Sequence, residues 1–511
     1  MSYVLGLDIG TTSTIGIAIR PEGGVAGLAK RPVDLFSGRI GWAEENPEQW
    51  WSNVREIIAE LLATGIDPAE IQAIGVTGML PAIVLLDQAG RLLRPSIQQS
   101  DARCGSEVED LKREVEAASF VVRAGNGLNQ QLVAPKLRWI EKHEPDVFRK
   151  IATVFGSYDY INWRLTGERA IEKNWALEGG FVDVASGTIA NDLVDLAHIP
   201  RSALPRKSES HEVLGHVSNK AATETGLLEG TPVVGGAADL IASALGAGIT
   251  RKGDVLLKFG GSVDILIATE RPVADPRMYL DYHLVPGLYM PNGCMATGGT
   301  GLNWFVDTFA TGERAGAQAA GIPVHALLDR KAAEVPAGAD GLTVLPYFLG
   351  EKTPIHDPFA RALFSGLTLS HTIGHLWRAL LEGYAYALAH HIEVFHDVGY
   401  ATTQYFASDG GSNSKAWMQI VSDVLQKPIQ LLRGHPGSCL GAAWTAAMGT
   451  GLAHDWCGIS KFIEQDMLVE PDLTKRELYA NGYRVYRSLY RPGQPATAME
   501  ALNISNTKDP A

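Results

Sequence analysis

A chain of 511 residues is too long for one ordinary hydrophobic core, so two large domains are expected. Its 46% hydrophobic and 20% charged residues fit a soluble globular protein, and a net charge of −13 argues against a nucleic-acid or anionic-membrane partner. Four scattered cysteines without CxxC spacing suit a reducing cytoplasm, no apolar run approaches a membrane span, and a strand opening at Tyr3 leaves no room for a signal peptide.

Residues 3–20, YVLGLDIGTTSTIGIAIR, read as a β-hairpin. The apolar stretches 4–9 and 15–19 flank a polar tip of Asp8, Gly10, Thr11, Thr12 and Ser13. Gly10 permits a sharp turn and close approach of the backbone to a ligand. Hydroxyls beside exposed N–H groups make a concave donor array suited to phosphate oxygens. Asp8 at its mouth can hold a magnesium ion, directly or through water. The turn holds no lysine, so it is not the GxxxxGK[ST] loop. The plain alternative is an ordinary Gly-Thr hairpin.

Asn46 and Pro47 supply the cap and first residue of a helix over 48–63, with Trp50, Val54, Ile57, Ile58, Leu61 and Leu62 on one face. Residues 71–76 and 83–86 read as strands. Between them lies Thr77-Gly78-Met79-Leu80-Pro81, a loop at a strand end, where open α/β sheets bind ligands. Residues 98–103, QQSDAR, bring Asp101 and Arg103 to the same neighbourhood if the two loops are adjacent. Residues 134–144 form a short helix and 155–164 a core segment with two tyrosines. From 178 to 218, strands, loops and short helices have no clear placement.

Residues 231–248, TPVVGGAADLIASALGAG, run from a strand through Gly235-Gly236 into an Ala-rich helix that begins near Asp239. The dipole stabilises a carboxylate at a helix start, so the plain reading of Asp239 is a cap. Its place at the glycine-rich end of a buried strand raises a functional one. Residues 253–268 then repeat the plan of the first hairpin around Gly260-Gly261-Ser262. That duplication argues for two similar domains, 1–248 and 249–511, each offering a phosphate turn to a cleft between them.

In the second half, residues 370–398 read as a long helix. Its His390, His391 and His396 lack a second paired ligand at metal spacing, which favours a structural reading. Residues 404–407 form a strand and 414–425 a helix. Between them lies Asp409-Gly410-Gly411-Ser412-Asn413, which reads equally as a bed for a flat ring or ribose and as a simple tight turn. A strand over 429–432 and an Ala-rich helix over 437–448 follow. The polar stretch from Asn503 reads as frayed.

Together these segments resemble the FGGY family of carbohydrate kinases, within the actin and sugar-kinase superfamily, from about residue 4 to 451. DIGTTST is similar to the family's first phosphate turn, and APKLRWIEKH, with Lys136 and Trp139, to its first signature. GGAAD, ending in Asp239, is similar to the segment that bears the catalytic base, and FGGS to the second phosphate turn. Residues 345–372 are similar to the C-terminal stretch. Residues 409–429 are similar to the second signature and imply the adenosine site.

The resemblance implies an α/β chain of two ribonuclease-H-like domains with an interdomain cleft, ATP mainly on the C-terminal domain and sugar mainly on the N-terminal one. It implies a cytoplasmic, ATP- and magnesium-dependent kinase of a small sugar, in a family where homodimers are common. Asp239 would accept the hydroxyl proton and, with Asp8, hold magnesium through water. Gly10, Thr11, Thr12, Ser13, Gly260, Gly261 and Ser262 would hold phosphates, and Gly410, Gly411 and Asn413 the rest of the nucleotide. Met79, Leu80, Asp101 and Arg103 would face the sugar.

The overall layout looks nearest to the xylulokinase branch, with D-xylulose the best guess. That branch usually carries Gly-Gln-Met-His-Gly where this chain has Gly78-Met79-Leu80-Pro81-Ala82, and Trp-Asn-Asp where it has Gln99-Ser100-Asp101. Ile15 stands where many relatives have Lys or Arg. Ribulose, another ketose or a polyol are the alternative substrates. Readings of other classes are a non-catalytic sugar or nucleotide sensor and an actin-like ATPase scaffold. Asp8, Asp239 and both turns oppose the first; Asp101, Arg103 and the signature segments oppose the second.

Overall fold

The computed structural model describes residues 2–39, 41–434 and 437–490; the polar stretch from Asn503 lies outside them. The chain forms two compact units. The first runs from the N-terminus to Lys252 and adds Ala268–Pro291 and Gly434–Glu464. The second comprises Gly253–Ile267, Asn292–Arg433 and the chain from Gln465.

In the first unit, β1 (Tyr3–Ile9) and β2 (Ser13–Ile19) pair antiparallel, with Asp8 opposite Ile15. β3 (Val25–Pro32) continues beyond β2, and β4 (Ile71–Gly78) pairs parallel with β1, setting Thr77 beside Asp8. β5 (Val213–His216) and β6 (Pro232–Val234) complete the order β5-β6-β4-β1-β2-β3. A short β7 (Ala237–Ala238) pairs with the end of β4. Every residue of β1 is buried, because helices cover both faces of the sheet.

One cover is the helix Pro47–Ala63, with the Asn46 side chain accepting from Glu48 N at 3.1 Å. On the opposite face, the helix Ser438–Gly449 packs on β1 and β4. Gly6 and Gly75, side by side in register, permit that approach: a Cβ would lie 2.0 Å from Cys439 O at Gly6 and 2.1 Å from Ala442 O at Gly75. A division at residue 248 assigns this helix to the second half, whereas in the structure it covers the first sheet. Its Ala-rich surface suits any close neighbour, so the sequence does not say which. The unplaced stretch after residue 178 holds a small hairpin, Val182–Asp183 with Thr188–Ile189, and a strand, Arg206–Ser208, parallel to Ala170–Glu172.

The second unit is built on β8 (Asp254–Phe259), β9 (Val263–Ile267), β10 (Tyr289–Cys294), β11 (Gln404–Ser408), β12 (Ile429–Arg433) and β13 (Glu464–Val469), in the order β10-β9-β8-β11-β12-β13. β8 pairs antiparallel with β9 and parallel with β11, as β1 does with β2 and β4. The long helix is Ile373–Asp397, with Trp377, Leu380, Tyr384 and Leu388 buried. His391 serves packing: Nε2 meets the Thr353 hydroxyl at 2.9 Å and Nδ1 the Ala387 carbonyl at 2.8 Å. Burial pulls its pKa down to about 4. Among the described residues, no helix is long and apolar enough to cross a membrane.

Candidate active site

The ends of β1 and β4 meet the start of the helix Asp239–Gly246 at one edge of the first sheet. Thr77 lies between Asp8 on β1 and Ala237 on β7, so Asp239, two residues on, begins its helix beside the turn of Asp8. Asp239 is the first helical residue and not the cap, which is Ala238. Its Oδ1 accepts from Leu240 N at 2.6 Å, and it is half-buried, so the carboxylate keeps access to a ligand. The glycine pair before it is fixed from behind: Asn162 Nδ2 donates to Gly235 O at 2.9 Å, and Gly236 N donates to Ser210 O at 3.0 Å.

Asp8 is 8% exposed, and its Oδ2 accepts from Ser438 Oγ at 2.6 Å. Gly10 N donates to Ser13 O at 3.1 Å and closes the tip. Thr12 is exposed and Thr11 half-buried, with the Thr11 hydroxyl 3.7 Å from Met79 Sδ. Ser13 begins β2 and is buried under the tip. Residues 10–12 therefore present the surface of the turn, and Ser13 shapes it.

The two loops expected to face the sugar are adjacent. Lys136, from the helix Val133–His143, donates to Gln98 O at 2.9 Å and Pro81 O at 3.4 Å. Burial pulls its pKa down to about 8, against the upward pull of Cys104 and Asp101. Ser157 Oγ donates to Met79 O at 2.7 Å and Trp175 Nε1 to Ala82 O at 2.9 Å.

Asp101 and Arg103 are drawn chiefly to each other. Asp101 is fully buried; its Oδ1 accepts Arg103 Nε at 2.8 Å, and its Oδ2 accepts Arg103 Nη2 and Ala43 N, both at 2.6 Å. Arg103 also meets Glu44 at 2.6 Å, and its guanidinium lies 3.6 Å from the centre of the Trp42 ring. This network knits the loop and stacks Trp42 against it. Sequence reasoning missed Trp42 and Glu44; an indole and a carboxylate two residues apart, ahead of the first helix, were the available signal. Gln99 pairs with Gln131 Nε2 at 3.1 Å.

The second unit holds a cavity of about 530 Å³, lined by Gly260, Gly261, Gly410, Gly411, Asn413 and Trp417, with Trp377, His325 and Asp329 among its walls. All the glycines and the asparagine expected to hold nucleotide there are thus together. Ser262 turns aside, its hydroxyl 3.2 Å from both Asp264 oxygens. Phe259 and Trp417 meet edge to face at 4.8 Å, and a Cβ on Gly411 would lie 2.8 Å from each of these side chains. Asp329 accepts from Trp377 Nε1 at 2.8 Å and from Ser414 Oγ at 2.7 Å, fixing the polar rim. An aromatic-walled slot with bare glycine backbone fits a planar base and its ribose.

Known proteins are similar to this chain over most of its length. The model of the FGGY family of carbohydrate kinases, N-terminal domain, matches residues 3–246, and that of the C-terminal domain matches residues 256–450. The crystal structure of xylulose kinase from Rhodospirillum rubrum is similar with a TM-score of 0.92 and 56% identity, covering 98% of this chain and 100% of that one. Xylulose kinase of Bacillus subtilis (strain 168) is 28% identical over 96% of this chain and 97% of its own length. Gluconokinase of the same organism is 28% identical over 90% of each. Both units are thus α/β domains of the ribonuclease-H-like, actin-like kind.

Proposed function

From the premise that the chain belongs to the FGGY family of carbohydrate kinases, we propose that it transfers a phosphoryl group from ATP to a hydroxyl of a small sugar, D-xylulose first, giving D-xylulose 5-phosphate. The observation that carries this reading is the accessible Asp239 carboxylate at one sheet edge with the turn of Asp8 and, through Thr77 and Gly78, the loop of Met79. The two relatives named as xylulose kinases support the choice of sugar.

Phosphoryl transfer demands in-line positioning, charge neutralisation and a base near the attacking hydroxyl. Asp239 takes the hydroxyl proton as the oxygen attacks. Asp8 and Asp239 offer hard carboxylate oxygens, which fit magnesium; that ion seldom takes an all-protein cage and completes its shell with water and phosphate oxygens. Among the described residues no group of three such ligands could hold a metal without that help. Magnesium, when bound, neutralises phosphate charge. Backbone and hydroxyl donors at Thr11 and Thr12, over the turn that Gly10 permits, and the backbone at Gly260 orient the phosphates, and the aromatic slot of the second unit holds the base. Met79 and Leu80, only 2% and 9% exposed, bound the sugar loop and bring no hydrogen-bonding side chain to it.

The test is ADP release from ATP over a panel of D-xylulose, D-ribulose, a tetrulose, D-gluconate and ribitol. Sugar-dependent turnover is expected, with D-xylulose among the good substrates. Because Pro81 and Gln99 replace side chains that could read the sugar, its advantage over the next best should stay below about a thousandfold, short of the roughly ten-thousandfold or more that a well-read hydroxyl gives. Binding without turnover would convert the reading to a sensor. Hydrolysis indifferent to sugar would convert it to an ATPase scaffold.

A further inference from the structure

Asp409 holds a backbone conformation that is almost the preserve of glycine. Its φ is 71° and its ψ −179°. Side chains in that region are strained, and such strain gathers at ligand clamps. Glycines stand at the next two positions, yet the strained one carries a carboxylate. Ser412 pins the main chain there, its N and Oγ donating to Asp409 O at 3.1 and 2.7 Å. The side chain is thereby aimed over the second turn: Oδ2 lies 3.5 Å from the place a Gly260 Cβ would take.

The same oxygen lies 3.9 Å from Lys258 Nζ. Lys258 immediately precedes Phe259-Gly260-Gly261-Ser262 on β8. It stands opposite Asp264 on β9 and beside Ser408 on β11. The Lys258 and Asp409 side chains are 23% and 29% exposed, so a ligand in the turn can reach both. The first hairpin offers no such cation: residues 8–19 contain neither Lys nor Arg.

We infer that Lys258 is the cation that positions the nucleotide's phosphate chain at the second turn, and that Asp409 is its counter-ion until nucleotide arrives. This deepens the kinase reading above and rests on it. A phosphate over Gly260 would meet the Asp409 carboxylate as a like charge, so the two compete for one ammonium. A polyphosphate brings several charges and oxygens and wins the exchange; a weak single anion does not. The pair therefore keeps Lys258 neutralised in the empty turn and favours polyphosphate over smaller anions. Lys258 also restrains Asp264, whose carboxyl desolvation pushes above its usual value.

The experiment measures equilibrium affinities for ATP, ADP and adenosine, without sugar, in the wild type, Lys258→Met, Lys258→Arg and Asp409→Asn. Lys258→Met should lose roughly tenfold or more for ATP, the scale of a charge-assisted hydrogen bond, with adenosine unchanged. Lys258→Arg should recover most of it. Asp409→Asn should bind ATP severalfold tighter. Unchanged ATP affinity in Lys258→Met overturns the inference. So does weaker ATP binding in Asp409→Asn, which would make Asp409 a support of the phosphates or their metal. Should Lys258→Met fail to fold, Asp409→Asn alone decides. A wild type that binds neither ATP nor adenosine would instead overturn the nucleotide reading itself.

Discussion

The β1–β2 hairpin and the β8–β9 hairpin pair with their neighbours in the same way and carry different charges. The first tip is Gly-Thr-Thr, with Asp8 anchored by Ser438 and no cation in its strands. The second is Gly-Gly-Ser, with Lys258, Asp264 and Asp409 around it. These turns supply backbone donors and, in the first, the hydroxyls of Thr11 and Thr12. The chemistry of each is set by what the neighbouring parallel strand delivers. β4 delivers the loop of Met79 and, through β7, Asp239. β11 delivers Gly410-Gly411 and the aromatic slot. The first unit should therefore govern catalysis and sugar, and the second nucleotide affinity.

The sharpest way to break that division is Asp239→Asn. General-base catalysis typically contributes about a hundredfold to ten-thousandfold, so kcat should fall by that order. ATP affinity and Tm should hold, because Asn is tolerated at a helix start and the nucleotide slot is untouched. Near-normal kcat would end the catalytic assignment and return Asp239 to a purely structural role.

Gly411→Ala probes the other side. Its Cβ would press on Phe259 and Trp417, each 2.8 Å away, and such overpacking costs about 1–3 kcal/mol. Nucleotide affinity should drop by roughly tenfold per 1.4 kcal/mol of that strain borne by the slot. Calorimetry of sugar binding in the same variant should show no change; a loss of sugar affinity would blur the division.

A third effect marks the second unit through pH. Burial pushes Glu351 up to about 8, although Ala296 N and Lys352 N donate to it at 2.7 and 2.8 Å. A carboxyl whose folded pKa lies above its unfolded value contributes stability that is complete at low pH and lost as pH rises. Relative to Glu351→Gln, the wild type should lose at most about 1.4 kcal/mol per pH unit between about pH 4.5 and pH 8. Denaturant unfolding at several pH values measures it. A flat difference would mean that Glu351 is already ionised when folded.

Much of this architecture was legible beforehand because it rests on local pattern. The two hairpins, the Asn46-capped helix and the glycine turns announce themselves in apolar periodicity and small residues. A division at residue 248 places the helix Ser438–Gly449 in the second half although it packs on the first sheet, because a helix rich in alanine on every side does not specify what it covers. Asp101 and Arg103 were visible as polar residues, but a sequence does not show that they satisfy each other. Lys258 looks like an ordinary strand residue and Asp409 like one more member of its turn; only the parallel pairing of β8 with β11 and the strained φ at Asp409 give the pair meaning.

The grip on the loops of Met79 and Gln98 has a consequence for descent. Lys136, Ser157 and Trp175 hold residues 79, 81, 82 and 98 by carbonyl oxygens, which every amino acid supplies. Mutation at positions 80 and 99 can therefore rewrite what the loops display without removing the carbonyls that hold them. On the proposed reading of these loops, a fixed frame with interchangeable lettering lets the choice of sugar shift by a few substitutions while the frame itself stays in place.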